Sequence, residues 1–248
     1  MSLLTPDQLR AFGRDGYLIM PGLVPPDRVL AANAAIDTLL ADRPPPAGTV
    51  GQHSYVEPPD AQPALLDLLT ATPAYAIAEQ LTAVGGLVGP SHVQVALTFP
   101  PYRHIPGGGH VDGLNQVDEH GRPKSFTMLV GVLLSDQTAD DMGNLHVWPG
   151  SHRAVVEYAH AHGIEALLAG AAETAQPPVD QSVRTQVHGG PGDVVFAHYL
   201  LAHNIGGNTS DVIRRTVYMR LKRDGHEQQW RAMFSDELAE YDGVRAIG

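Results

Sequence analysis

The sequence predicts a mainly β domain, a sandwich or jelly roll with helices packed on its outside. Three observations carry that reading. Apolar residues recur at helical spacing up to about residue 83, short β-rich runs take over from about residue 85, and Pro/Gly clusters separate those runs. A helical layer followed by many short strands is the pattern of a sheet-on-sheet core with helices outside. At 248 residues the chain reads as one domain spanning 1–248, long enough to bury a substantial core.

The first helix opens at Thr5, an N-cap residue followed by Pro6 at the first helical position and Gln8 at the third, as in a capping box. Leu9 and Phe12 share its apolar face, and Gly16 ends it. Tyr17 to Met20 reads as a short strand bounded by Pro21-Gly22. A second helix is predicted from Pro26 to Ala41, with Val29, Ala32, Ile36, Leu39 and Leu40 at helical spacing. Arg43 to Gly48 is a Pro-rich loop. Residues 62–83 are helical again, with a break near Thr72-Pro73. The β-rich runs are Leu87 to Phe99, Phe126 to Leu134, Asn144 to Trp148, Val183 to Val187, Val194 to Ala197 and Arg215 to Leu221. One helix, from about Ala154 to Ala171, interrupts them, and a closing helix is expected from His226 to Tyr241.

Composition narrows the function. A formal charge of −11 argues against nucleic acid and anionic membrane surfaces as partners, because both require a basic face. The longest apolar stretches, such as Met128 to Leu134, are far too short to span a bilayer. The N-terminus has no basic region followed by a long apolar run, so no signal peptide is expected and cytoplasm is the default location. With no cysteine, a metal must be held by His and carboxylate, which suits Fe, Mn or Zn.

Such a set is present. His110 and Asp112 lie two apart, so on a strand both would point to one face. His203 follows Asp112 by 91 residues, and Arg214 comes eleven further on. Two His and one carboxylate on one side of an ion leave about three positions open, as a non-heme Fe(II) oxygenase requires. An arginine nearby could hold the distal carboxylate of an oxo-acid in a bidentate fork. Spacing alone does not decide the matter: among 13 His and 18 Asp in 248 residues, about one His-x-Asp arises by chance. On spacing alone, a surface histidine beside an acid on a loop is the better explanation of the pair.

The context adds to it. Gly107-Gly108-Gly109 before His110 allows a sharp turn and close backbone approach. The turn at Gly206-Gly207-Asn208 is expected to make a hairpin that sets Arg214 across the ladder from His203. Arg214, Thr216 and Tyr218 share a face by period two. His198 is a rival ligand; five residues from His203 in a continuous strand, it would face the other way.

Four motifs, in order, resemble the phytanoyl-CoA dioxygenase family of Fe(II)/2-oxoglutarate oxygenases. Phe12-Gly13-Arg14-Asp15-Gly16-Tyr17, after Leu4-Thr5-Pro6-Asp7-Gln8, is similar to the family's N-terminal F-x-x-D-G-Y turn. His110-Val111-Asp112-Gly113 matches its first two metal ligands. The stretch from Gly143-Asn144-Leu145 to Pro149-Gly150-Ser151-His152 resembles its G-x-L-x-x-x-P-G-S-H segment. Gly192-Asp193-Val194-Val195-Phe196, His203, Asn208-Thr209-Ser210 and Arg214 follow its C-terminal motif.

The resemblance implies a cupin-like double-stranded β-helix, or jelly roll, holding Fe(II) through His110, Asp112 and His203. It implies 2-oxoglutarate as co-substrate with its distal carboxylate on Arg214, O2 as oxidant, and Thr216, Gln94 and Thr98 as further co-substrate contacts. The implied activity is hydroxylation of a small molecule with release of succinate and CO2; the presence of Asp112 as a ligand disfavours halogenation. Two departures stand out. Asn204-Ile205 follows His203 where the family usually has Gly-Ser, and no basic residue precedes Pro100-Pro101. The Pro149-Gly150-Ser151-His152 turn reads as structural. The alternative is a cupin-like metal-binding protein, or a Zn hydrolase or isomerase, without oxygenase activity. Positive charge gathers in two candidate lid loops, with Arg103 and His104 in one and Arg122 and Lys124 in the other.

Overall fold

The computed structural model describes residues 2–247. The helical layer is α1 (Pro6–Asp15), α2 (Pro26–Asp42), α3 (Pro63–Thr70) and α4 (Ala74–Leu81). The strands are β1 (Tyr17–Met20), β2 (Gly51–Glu57), β3 (Leu87–Val88), β4 (Val93–Phe99), β5 (Met128–Leu133), β6 (Leu145–Val147), β7 (Thr185–Gln186), β8 (Val194–His198), β9 (His203–Ile205) and β10 (Arg214–Arg223). Between β6 and β7 lie α5 (Ser151–His162) and α6 (Ile164–Gly170).

The capping box predicted at the N-terminus forms: Gln8 N–H donates to Thr5 Oγ1 at 3.2 Å, and Thr5 N–H to Gln8 Oε1 at 2.8 Å. Gly16, at φ +80°, ends α1 in the left-handed conformation that glycine adopts without strain.

The strands form two antiparallel sheets. The large one runs β1-β8-β5-β10-β4-β2, with β3 pairing the end of β10, and the small one is β7-β6-β9. The strand alternation along β10 sorts its residues between two environments. Val217, Met219 and Leu221 pack into a core beneath the helices, with Ile36 of α2, Leu65 of α3 and Ile77 of α4. Arg214, Tyr218 and Arg220 face the other way, into a space that residues of the small sheet also line. β4 does the same, burying Val93, Val95 and Leu97 in the helix-side core and turning Gln94, Ala96 and Thr98 inward. The result is an open jelly roll with its helices on the outer face of the large sheet, as the sequence predicts.

Several expectations need correction. β2 is not foreseen by the sequence pattern; it pairs with β4 along its whole length, from Gly51 opposite Phe99 to Glu57 opposite Val93. The run expected from Leu87 to Phe99 breaks into β3 and β4 around Gly89-Pro90. The helix expected from Ala154 to Ala171 breaks at Gly163, at φ +91°. The closing helix from His226 to Tyr241 is replaced by α7 (His226–Gln229) and a 3-10 turn (Trp230–Phe234), with α8 (Asp242–Arg245) beyond it. The hairpin expected between His203 and Arg214 does not form. β9 pairs with β6, Leu145 opposite Ile205, while β10 lies between β5 and β4. His203 and Arg214 therefore face one cavity from opposite sheets rather than along one ladder.

Candidate active site

His110 and Asp112 sit on a loop rather than a strand, which corrects the period-two argument while keeping its outcome. His110 is tied to His203 by reciprocal backbone bonds, N–H to carbonyl, at 2.9 and 3.0 Å. Val111 is fully buried in the inner core, so its two neighbours project the other way. The approach is close enough to require glycine just before it: a Cβ on Gly109 would lie 2.5 Å from the Trp148 ring and 2.9 Å from His203 N. Gln181, of which the sequence gives no sign, clamps this turn, accepting from Gly109 N–H and donating to Gly109 O at 3.1 Å.

The ligating atoms of His110, Asp112 and His203 lie within 4.8 Å of one another, the one such cluster among the described residues. Asp112 Oδ1 is 3.2 Å from His110 Nε2 and 3.7 Å from His203 Nε2. His203 Nδ1 donates to Leu201 O at 2.9 Å, which leaves Nε2, the nitrogen facing Asp112, free to ligate. Burial opposes ionisation of Asp112. The neighbouring His110 and His203 and the charge of Arg220 outweigh it and hold the carboxyl well below its usual range. Two imidazole nitrogens and a carboxylate oxygen at the wall of a cavity suit a divalent transition ion with open positions.

That cavity, of about 430 Å³, is lined by the triad and by Gln94, Thr98, Arg214, Tyr218 and Arg220. Arg214 is 1% exposed. Its Nη2 donates to Tyr218 OH at 2.7 Å, and its other contacts, Gln137 Oε1 and Ala96 O, are both 3.3 Å away. It has no carboxylate partner among the described residues. A buried charge so placed is costly unless an anion meets it. Beside it, across the β4–β10 ladder, the buried hydroxyl of Thr98 has no hydrogen-bond partner. The Gly143 position, at φ +79°, is where the chain crosses Arg214: a Cβ there would lie 2.7 Å from Arg214 Cβ.

The other expected residues are placed as follows. Gln94 lines the cavity and accepts from Arg220 Nη1 at 2.8 Å. Thr216 is fully buried and accepts from Gln137 Nε2 at 3.2 Å, so Gln137 bridges it to Arg214. Gln94 and Thr98 thus face the cavity and not solvent. Arg220 is the contact that the motifs do not reveal: its Nε donates to Asp112 Oδ2 at 3.0 Å, and its Nη2 reaches the same oxygen. Its even-numbered position on the face of Arg214, Thr216 and Tyr218 is the one signal for it in the sequence. His198 is no ligand; its Nε2 donates to Glu237 O at 2.7 Å and its Nδ1 accepts from Leu200 N–H at 3.0 Å. His152 packs against it. The Pro149-Gly150 turn leads into α5, where Ser151 Oγ accepts from Ala202 N–H, a structural role.

Residues 109–216 match the model of the phytanoyl-CoA dioxygenase (PhyH) family. That segment holds the triad, Arg214 and Thr216, while Gln94, Thr98 and Arg220 lie outside it. The fold is similar to that of HygX from Streptomyces hygroscopicus, solved with nickel and 2-oxoglutarate bound, at 18% identity and a TM-score of 0.61 over 90% of this chain and 88% of that one. It is similar also to SnoK, a non-heme alpha ketoglutarate dependent carbocyclase from nogalamycin biosynthesis, at 21% identity and 0.61 over 92% and 91% of the two chains. A third relative in fold is EctD from S. alaskensis with bound Fe, at 21% and 0.60 over 89% and 77%. At these identities the likeness is one of fold. No curated protein sequence matches the chain.

Proposed function

We propose that this protein belongs to the family that its residues 109–216 match, and that it is an Fe(II)- and 2-oxoglutarate-dependent dioxygenase that hydroxylates a small molecule. The observation that carries the reading is the joining, in one cavity, of a two-His, one-carboxylate cluster and a buried arginine without a carboxylate partner. His110, Asp112 and His203 would hold the metal. Arg214 would receive the distal carboxylate of 2-oxoglutarate, with Tyr218 OH and the unpartnered Thr98 hydroxyl beside it. Thr216 would act through Gln137, which it anchors against Arg214, and Gln94 through Arg220. The chemistry supplied at such a site is O2 activation coupled to decarboxylation of the oxo-acid, giving succinate, CO2 and an oxygenated product.

The protein's own contribution is placement. Arg220 fixes one oxygen of Asp112 and turns the other toward the two imidazoles. A Zn hydrolase or isomerase could use the same three ligands, but that reading gives the buried charge of Arg214 no task.

The test is anaerobic loading with Fe(II), then addition of O2, 2-oxoglutarate and chloride with candidate substrates. Succinate release in step with a product gaining one oxygen is expected; a chlorinated product, or no succinate with any metal, sinks the proposal. Arg214→Lys keeps the charge and loses the planar fork. The KM for 2-oxoglutarate should rise about tenfold, about 1.4 kcal/mol, with metal binding unchanged. An unchanged KM would move the carboxylate site away from Arg214.

A further inference from the structure

A second cavity, of about 760 Å³, lies on the other side of Arg220, the residue the two cavities share. Its wall reverses the charge of the protein. Four cations, Arg122, Lys124, Arg220 and Lys222, stand there against two carboxylates, Asp118 and Glu227, in a chain of formal charge −11. Three of the cations are paired: Arg122 with Asp118 at 2.7 Å, Lys222 with Glu227 at 2.6 Å, and Arg220 with Asp112. Lys124 has no carboxylate partner among the described residues. Of the two candidate lid loops, the one carrying Arg122 and Lys124 contributes to this wall; Arg103 and His104 do not.

The rest of the lining is of a different kind. Phe126 and Trp230 supply apolar surface, with the Arg220 guanidinium 5.7 Å from the centre of the Phe126 ring. Next to Phe126 a buried polar chain reaches the wall. Ser125, 4% exposed, has its hydroxyl 2.7 Å from His226 Nε2, and His226 Nδ1 is 2.9 Å from Glu240 Oε1. These partners fix the Ser125 oxygen in place while leaving it capacity for one further hydrogen bond.

Resting on the dioxygenase reading above, we propose that this cavity is the substrate site and that the substrate is an organic anion with an apolar body. Its acid group meets Lys124, its body lies on Phe126 and Trp230, a polar atom bonds Ser125, and its far end reaches Arg220, where the two cavities meet. The volume is in the range of small-molecule sites, and the apolar surface with few fixed polar groups is their usual lining. A neutral or cationic molecule would leave Lys124, the one cation of this wall without a carboxylate partner among the described residues, unmatched.

Two fluorescent probes with one ring system test this on the full, metal-free chain: 1-anilinonaphthalene-8-sulfonate and the uncharged N-phenyl-1-naphthylamine. The sulfonate should bind about tenfold more tightly than its neutral partner. Lys124→Glu, an exposed position whose change leaves the core intact, should weaken the sulfonate about fivefold and leave the neutral probe unmoved. Equal affinities for the two probes, no binding of either, or a sulfonate affinity untouched by Lys124→Glu would each overturn the proposal. The probes need no metal. Loss of the dioxygenase reading would show in iron binding and succinate release, whereas failure here with those intact rejects only the substrate class.

Discussion

Two pairs of histidines lie in this molecule at almost the same ring spacing. His110 and His203 are 4.7 Å apart between ring centres and tilted by 51°, and His152 and His198 are 4.9 Å apart and tilted by 43°. What separates them is where the nitrogens point. His152 and His198 each spend Nε2 on a backbone carbonyl, of Gly13 and Glu237. His203 spends Nδ1 on Leu201 O and turns Nε2 toward Asp112 and the cavity. Ring proximity therefore says little about ligation. A free Nε2, a carboxylate and an open wall together make the site.

The largest expected effect breaks the two pairs apart directly. His110→Ala, Asp112→Ala and His203→Ala should each take Fe(II) binding from about one ion per chain to none, because two donors hold an open-sided ion poorly. His198→Ala should keep full stoichiometry and instead lose about 3 kcal/mol of stability through an emptied core position. Anaerobic titration and urea unfolding read the two outcomes. If His198→Ala lost the metal while His203→Ala kept it, the comparison would be inverted.

Acid should also tell the pairs apart. Burial pushes His152 down to about 4, with the Gly13 carbonyl opposing and nearby Arg153 adding to the shift. Burial and the neighbouring His152 push His198 well below its ordinary value. Both rings stay neutral in the folded protein at pH values where the unfolded chain takes up protons. Between about pH 6.5 and pH 4 the unfolded state thus binds more protons, so stability falls as the pH drops, by about 3 kcal/mol for His152 alone. Unfolding free energies of metal-free protein across that window should show the decline. His152→Gln should flatten it, and an equal slope in the variant would refute this origin.

What is legible in the sequence is what neighbouring residues decide. The capping box at Thr5 and Gln8 and the two faces of β10 depend on spacings of two to four residues, so the order of residues alone is enough to read them. β2 is hidden because its residues are mostly polar. Only Gly51, Tyr55 and Glu57 are buried, and Glu57 meets Arg43 at 2.6 Å, so no apolar alternation marks the strand. The pairing of β9 is hidden for another reason. A turn at Gly206-Gly207 suits a hairpin with β10, yet β9 pairs with β6, Leu145 opposite Ile205 and Val147 opposite His203, a contact between distant segments that local pattern cannot show. The metal triad is legible as residue types in order. That His198 is excluded by its own hydrogen bonds, and not by strand parity, is not.

The smallest effect concerns what aims the carboxylate in the site pair. Arg220 lies 108 residues from Asp112 in sequence, and its Nε and Nη2 both hold Asp112 Oδ2, while Nη1 is held by Gln94. Oδ1 is thereby left to face the two imidazoles. Arg220→Gln removes both contacts without touching a ligand. Partners of this kind, hydrogen-bonded to a metal ligand, are worth about ten- to a hundredfold in metal affinity. We expect the lower end, because Asp112 remains confined by the loop that the His110–His203 backbone bonds secure. Fe(II) affinity should therefore weaken about tenfold, with one ion still bound per chain at saturation, and Gln94→Ala should reproduce a fraction of the loss. Arg214→Lys should leave that affinity alone, since its guanidinium touches none of the three ligands. An Arg220→Gln protein with unaltered affinity would mean that the loop alone aims Asp112, and that the second arginine of this strand face serves the neighbouring cavity only.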